Sequence, residues 1–501
     1  MWVDETTHRG PTLFHSYKIK RLIPRREGPR YRRPPAVFIL EANAQQRLSA
    51  PVRTVTAFRK DATEPLSPID AAWYQLDRRG RSLDIGALLF FDQDLDFQAL
   101  YELAAKGLAT RRRFRSLVVD EPLEVGRPRW EPAPHFRLDA HVHHLAIPEP
   151  GDDGALAALV GDLMSQPMDL ERPLWELYLL DRPGEGCAVL ARIHHCIGDG
   201  FALGHLLMSL GVPEEGDWAE EEARQEEHPG WLRRIGEGIA HPTRALDDAR
   251  QAGRVARALG HLAALPFDSK TVLHRPSSHV RRAGWSEPVE LERIKSLGTD
   301  VDATVNDVLM AALAGALRTY LIDVGEPVSE ITLRAVMPVN LRPARWLEEM
   351  SDELGNHFGL TFVSLPVDRA TAHERLQVLK AEIDRLKESP EPVVAFGLLQ
   401  SLGHTPAYFE HLVEDIFLKK ASLVASNMPG PRRRLCFAGK PLRDVLFWPP
   451  HPGELGLGMS ILSYAGKVRI GIRSDAQVLA HPFALARYFR DEFEEMENSG
   501  G

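Results

Sequence analysis

The stretch "ARIHHCIGDGFALGHLLMSL" (191–210) decides how the rest of the chain is read. A strand-like run ends in two adjacent histidines, passes through Gly-Asp-Gly and enters an apolar, helix-like run. Successive side chains on a strand point to opposite faces, so only one of His194 and His195 faces a given cavity. Gly198 and Gly200 allow tight turning and close backbone approach. Asp199 either caps the helix that follows or forms a salt bridge that locks the turn. A neutral imidazole suits proton abstraction from an alcohol or amine. No carboxylate or cysteine completes a familiar metal-ligand spacing, so no metal is expected. No GxSxG elbow occurs. Cys196 is a conceivable nucleophile, but it diverges from its neighbour His195. Direct attack by a substrate hydroxyl, with His195 as base, needs no protein nucleophile.

With 501 residues the chain is too long for one core, and two large domains are expected. Hydrophobic residues (44%) and charged residues (26%) stand in ordinary globular proportions. A net charge of −9 argues against a nucleic-acid partner. Cys187, Cys196 and Cys436 are too few and scattered for a disulfide framework or a zinc cluster, and a cytoplasmic setting fits. The start, "MWVDETTHRG", lacks a basic-then-apolar signal pattern. No uncharged apolar run reaches the roughly 18 residues that span a bilayer. "VLMAALAGALR" (308–318) reads as a buried core helix. Residues 1–60 hold 13 Lys and Arg against 4 Asp and Glu, a local excess of +9. That basic arm is either a solvated extension or a foot on anionic lipid.

Four regions follow from the pattern. After the arm (1–60), a first unit (61–211) opens at "LSPIDAAWYQLD" (66–77). "LDIGALLFF" (83–91), "WELYLLD" (175–181) and "CAVLARIHH" (187–195) read as strands, and "FALGHLLMSLG" (201–211) as a helix stopped by glycine. Residues 212–275 break the pattern with "EEGDWAEEEARQEE" (214–227) and an amphipathic stretch (231–266), an interdomain crossover or a surface helix for lipid. The last unit (276–501) starts its main helix at Thr304, with Asp307 at capping-box spacing. Strands follow at 331–339, 358–367 and 423–427. A helix at 371–389, a hairpin at 457–475 and a final helix at 482–497 complete it. Mixed strands and helices in two halves predict an α/β fold of two sandwich domains.

"HHCIGDG" matches the HHxxxDG motif of the CoA-dependent acyltransferase superfamily, which also holds chloramphenicol acetyltransferases and peptide-synthetase condensation domains. "LSPIDAAW" (66–73), "RPLWELYLL" (172–180), "TVNDVLMAALAGALR" (304–318), "MPVNLRP" (337–343), "LGNHFG" (354–359) and "ASNMPGP" (425–431) occur in order. As a set, over about residues 65–490, they resemble the bacterial wax ester synthase/diacylglycerol acyltransferase family. The resemblance implies two chloramphenicol-acetyltransferase-like α/β sandwich domains, with an active-site tunnel between them. It implies that His195 is the general base, taking the proton of a diacylglycerol or long-chain alcohol hydroxyl that attacks an acyl-CoA thioester. His194 and Asp199 would hold the geometry, and Asn306, in an Asn-Asp motif, would contribute polarity. Gly200, Trp175 (wall or packing), Gly355, Asn356, Ser426 and Asn427 are the candidate substrate-binding residues. No cofactor beyond acyl-CoA as co-substrate is implied. Peripheral attachment to a membrane or lipid-droplet surface is expected, and the oligomeric state stays open.

Three departures stand out. Asp77 replaces the usual Glu, Met428 replaces the usual Val, and the basic arm is longer than the family's typical start. The rival readings are a carrier-protein-dependent condensation or ester-forming acyltransferase, and a non-catalytic lipid-inclusion or membrane-surface protein.

Overall fold

Two strands, Asp84–Phe91 and Cys187–His194, are buried along their whole length, and the sheet around them positions the histidine pair. The computed structural model describes residues 63–77, 83–121, 126–214, 249–299, 301–342, 354–402, 419–450 and 455–499. The basic arm and nearly all of the acidic stretch expected from the sequence lie outside them. In chain order the first half contains β1 (Glu64–Pro65), α1 (Pro68–Asp77), β2 (Asp84–Phe91), α2 (Phe97–Gly107), β3 (Ser116–Val119), β4 (Arg129–Pro132), β5 (Val142–Ala146), α3 (Asp153–Ser165), β6 (Trp175–Asp181), β7 (Cys187–His194), α4 (Gly200–Ser209) and β8 (Val212–Pro213). After α5 (Ala249–Ala264) come β9 (Arg281–Trp285), β10 (Val289–Glu290), α6 (Leu291–Thr299), α7 (Val305–Asp323), β11 (Leu333–Asn340), β12 (Phe358–Leu365), α8 (Ala372–Lys387) and α9 (Glu391–Leu402). β13 (Leu423–Pro429), β14 (Leu435–Phe437), β15 (Lys440–Trp448), β16 (Leu457–Tyr464), β17 (Lys467–Asp475) and α10 (Pro482–Ser499) finish the chain.

These elements form two seven-stranded sheets and a small three-stranded one. The first large sheet runs β5-β6-β7-β2-β15-β14-β8, and the second runs β10-β17-β16-β13-β11-β12 with β9 also on β17. β2 reads as a continuous apolar run because both of its faces are covered. Ile85, Ala87, Leu89 and Phe91 enter one core, and Leu88 and Phe90 enter the other. The second sheet is covered by α7, α8 and α10, whose Leu313, Leu379 and Phe489 share its core. α7 starts as its sequence predicts: Asp307 N–H donates to Thr304 Oγ1 at 3.3 Å, and Thr304 N–H donates to Asp307 Oδ2 at 2.8 Å. Leu309, Met310, Leu313 and Leu317 of this helix are buried in that core.

The domain boundary drawn at 276 needs one correction. β14 and β15 come from the last third of the chain but belong to the first sheet, where β15 pairs antiparallel with β2 from Leu442↔Phe91 to Trp448↔Gly86. Without β15, β2 would be an exposed apolar edge strand.

A buried ion network joins the two large sheets at the histidine end of β7. Asp84 sits opposite His194 in the β2–β7 register. Its carboxylate accepts from Arg192 Nε (2.9 Å) on β7 and from Arg473 Nη2 (2.9 Å) on β17 of the other sheet, and Arg473 Nη1 also donates to the Asp84 carbonyl (2.8 Å). Burial by itself would raise the Asp84 pKa. The two guanidinium groups outweigh it and hold the carboxyl well below the usual carboxylate range. A pKa depressed in the folded state adds stability above the unfolded value of about 3.9, and that stability is lost as pH falls through the folded value. Asp84→Ala leaves two buried arginines without their shared anion. Urea titration at neutral pH should show a loss of about 3–5 kcal/mol; a loss under about 1 kcal/mol would show that the sheets do not depend on this network.

Candidate active site

β7 ends at His194, and the chain turns at once. His195 N–H donates to the Leu83 carbonyl at 3.0 Å, and His194 N–H donates to the Leu174 carbonyl at 3.0 Å. The His194 ring is wholly buried. Its Nδ1 accepts the Cys196 backbone N–H at 3.0 Å, so Nε2 is the nitrogen that carries the ring proton. Nε2 lies 3.0 Å from Asp77 Oδ2. The residue that departs from the usual glutamate is thus the carboxylate facing this histidine. His195 turns elsewhere. Its ring stacks on Trp73, with centroids 4.4 Å apart and planes at 22°, and Phe358 lies 5.7 Å away. Cys196 is fully buried and does not line the cavity that His195 reaches.

Asp199 is both a cap and an ion-pair partner. As N-cap of α4, its Oδ1 accepts from Ala202 N at 3.0 Å. Oδ2 accepts the His357 N–H at 2.9 Å and lies 2.7 Å from Arg342 Nη1. The Asp199 N–H donates to the carbonyl of Gly355, which also receives Arg342 Nη2 at 2.6 Å. Gly355 holds φ +123, a backbone that favours glycine. One carboxylate therefore binds the histidine turn to the segment that enters β12.

A second brace lies beside it. Asp70, fully buried in α1, accepts from Arg113 Nη1 at 3.1 Å and from Asn356 Nδ2 at 2.7 Å. Arg113 Nη1 also donates to the carbonyls of Ile197 (2.9 Å) and Cys196 (3.2 Å), and Asn356 Nδ2 donates to the His195 carbonyl (2.8 Å). The backbone from 195 to 197 is thus pinned by side chains from two distant segments. Asp70, Arg113 and Arg342 were not singled out in the sequence. Asp70 had one signal, a carboxylate inside the apolar run "IDAAW". Arg113 had none that separates it from Arg111 and Arg112.

The ring of His195 opens into a narrow cavity of about 110 Å³ at the junction of the two halves. Trp73, Leu76, Ile85, Gly200 and Phe201 come from the first half, and Val336, Phe358, Leu360, Val424 and Ile461 from the second. The lining is otherwise almost wholly apolar; its polar members are His195, Asp199, Ser426 and Ser460. Ser460 Oγ donates to the Phe447 carbonyl. Burial pulls the His195 pKa down to about 4, against the opposing pull of the Asp199 carboxylate. The imidazole is therefore neutral at neutral pH. Its Nδ1 is buried, which leaves Nε2 as the nitrogen open to the cavity.

Apart from Trp175, the candidate residues divide into three groups. His195, Asp199, Gly200 and Ser426 line the cavity. His194, Gly355 and Asn356 stand behind the turn and brace it; the last two, expected at the substrate, do not line the cavity. Asn306 and Asn427 meet each other, with Asn427 Nδ2 donating to Asn306 Oδ1 at 2.8 Å. Neither lines the cavity, so Asn306 supports the β13 wall from α7 and does not contact the base. Trp175 needs the clearest correction. It is fully buried, its Nε1 donates to the Phe114 carbonyl at 2.8 Å, and its ring stacks on His141 at 4.7 Å. Of the two alternatives, wall or packing, it is packing: Trp175 faces the core of the first sheet and does not line the cavity that His195 reaches.

Comparison with known proteins gives consistent results. The model of the wax ester synthase/diacylglycerol acyltransferase catalytic domain matches residues 66–309, and that of the WS/DGAT C-terminal domain matches residues 354–497. A Mycobacterium tuberculosis protein named as a probable diacylglycerol O-acyltransferase (tgs1) is 30% identical over 441 residues, covering 85% of this chain and 94% of that protein. The wax ester synthase/diacylglycerol acyltransferase from Marinobacter aquaeolei VT8 superposes with a TM-score of 0.63 at 25% identity, over 87% of this chain and 100% of that one. The first condensation domain of the calcium-dependent antibiotic synthetase shares the fold, with a TM-score of 0.57 at 15% identity over 87% of this chain and 96% of that one.

Asp199→Asn tests the first brace. The amide can still accept from Ala202, but an NH2 in place of Oδ2 would face the His357 N–H and the Arg342 guanidinium, donor against donor. Removing one partner of a buried pair costs about 3–5 kcal/mol. Differential scanning calorimetry should show a Tm several degrees lower, with turnover falling alongside. An unchanged Tm and rate would reduce Asp199 to a helix cap.

Proposed function

This chain belongs to the wax ester synthase/diacylglycerol acyltransferase family and is an acyltransferase, and on that premise we propose that it moves a long-chain acyl group from acyl-CoA to the hydroxyl of diacylglycerol or a long-chain alcohol, with His195 as general base. The observation that carries this reading is a neutral, desolvated imidazole held between aromatic rings at the wall of an apolar cavity.

The chemistry follows from that placement. The acceptor hydroxyl hydrogen-bonds to His195 Nε2. As its oxygen attacks the thioester carbonyl carbon, the proton passes to the imidazole and the carbonyl electrons move onto oxygen. The tetrahedral intermediate collapses, the carbon–sulfur bond breaks, and the imidazolium returns its proton to the departing CoA thiolate. The products are an ester and CoA, the base is regenerated, and acyl-CoA enters as a substrate with no further cofactor in the scheme. Ser426 lines the cavity, and with the Ser460 hydroxyl engaged by the Phe447 carbonyl it is the hydroxyl that would serve the transient oxyanion. Apolar walls keep water from competing with the acceptor. A condensation-type reading has support from fold alone.

The substrates are insoluble at their acyl ends, so the chain would meet them at a membrane or droplet surface. The 1–60 arm, at +9 against −18 for the remaining residues, is the candidate foot, placing the enzyme peripherally on a cytoplasmic lipid surface. Deleting residues 1–60 should weaken sedimentation with anionic vesicles, and salt should weaken that of the intact protein. Binding indifferent to both would move the contact elsewhere.

His195→Ala should lower turnover roughly 10²–10⁴-fold while leaving the fold intact. His194→Ala should chiefly lower stability. In wild type, a base with its pKa pulled down stays unprotonated until the pH approaches about 4. The acid limb of kcat/KM should therefore lie well below the ordinary imidazole value near 6.5. A limb at 6.5 or above, or an active His195→Ala, would remove His195 from the role.

A further inference from the structure

The fold gives the departure at Met428 a physical setting. Met428 lies two residues beyond Ser426 on β13, on the same face of the strand, and both line the cavity. The facing wall is α4, which carries two glycines one helical turn apart. A Cβ built on Gly200 would meet nothing within 4 Å, because the space beside it is cavity. A Cβ built on Gly204 would lie 2.7 Å from both Sδ and Cε of Met428, and 3.5 Å from Phe447 Cζ. Gly204 sits within a regular helix with no positive φ, so its backbone does not call for glycine. The missing side chain makes room for the thioether. Met428 thereby fills the lane beside α4 one turn beyond the point where it is open.

We propose that the Met428 thioether, seated against Gly204, is the stop that sets how long an alkyl chain the cavity accepts. The inference rests on the cavity being the site of acyl transfer. Thioether side chains are flexible and fill irregular apolar gaps, so a stop of this kind is adjustable by substitution. The branched, shorter valine ends before the position of Sδ and frees the lane. Each further methylene that then fits gains about fourfold in kcat/KM.

The test uses the full-length enzyme and two substrate series. Saturated acyl-CoA thioesters from octanoyl to stearoyl are measured with one alcohol, and saturated alcohols over a similar range are measured with one acyl-CoA. Met428→Val should move the optimum toward longer chains by about two carbons in one series, changing the long-to-short ratio of kcat/KM about 15-fold. The series that moves identifies which alkyl chain runs past α4. Gly204→Ala should push the thioether into the cavity and move the same optimum toward shorter chains. In the Met428→Val background Gly204→Ala should have little effect. Unchanged profiles in both series overturn the proposal, as does a Gly204→Ala effect of equal size in both backgrounds. Should circular dichroism show that one variant is unfolded, the other decides. If the wild-type enzyme uses diacylglycerol but no alcohol, the acyl-CoA series is run with diacylglycerol and decides alone; a wild-type enzyme that transfers to neither, or an active His195→Ala, would instead count against the transfer reading itself.

Discussion

Asp84 is the residue on which the rest of the molecule turns. A carboxylate at the centre of a protein is tolerated only when its charge is met, and two arginines from two different sheets meet it. That requirement fixes where the sheets touch. Arg473 reaches Asp84 only if β17 passes the end of β2, and the end of β2 is where β7 delivers the histidines. The neighbouring Leu83 carbonyl takes the His195 N–H, so the same few residues hold the sheets together and aim the base. Asp199–Arg342 and Asp70–Arg113 repeat the principle at the turn itself. A neutral imidazole in a largely apolar cavity thus has ion pairs around it, Asp199–Arg342 at the wall and the others one layer out.

This layering explains the division of labour in the site. An unpaired charge close to the reacting atoms would draw in water; the cavity wall is almost wholly apolar, and its one carboxylate, Asp199, is paired with Arg342. Charges behind the wall cost little once paired and give the backbone from 195 to 199 a single conformation. His194 belongs to that outer layer and His195 to the inner one, although they are adjacent in sequence. The separation comes from the alternation of a strand and from the turn that begins at its last residue.

Much of the fold was legible in the sequence where the signals are local. β6, β7, α4, α7 and the β16–β17 hairpin fall within a residue or two of the runs that predict them, since periodicity, capping residues and turn glycines act over a few positions. That only one of the two histidines faces the cavity was legible for the same reason; that it is His195 is what the HHxxxDG motif implies. The braces were not. Asp77 read as a departure from a pattern, and its pairing with His194 depends on how α1 lies against β7. Arg342 and Asn356 stood in recognisable motifs, but nothing near them names their partners at 199 and 70. Trp175 shows the opposite case: its motif points toward substrate, but its indole N–H satisfies a carbonyl in the core. β15 escaped notice because a short apolar run before two prolines has no local mark of the strand it will join.

β15 also governs the order of events in the life of the chain. Phe91 and Leu442 are neighbours in the sheet, yet about 350 residues separate them. A ribosome making this protein releases β2, β7 and both histidines long before the strand that completes their sheet exists. Until then the growing chain exposes a bare apolar edge, a surface that invites aggregation and the attention of chaperones. The halves are therefore poor candidates for exchange between genes or for separate expression, since the first is left with an open seam and the second with a strand that has nowhere to go. Catalytic competence arrives last, when the distal part of the polypeptide reaches back and closes the sheet that holds the base.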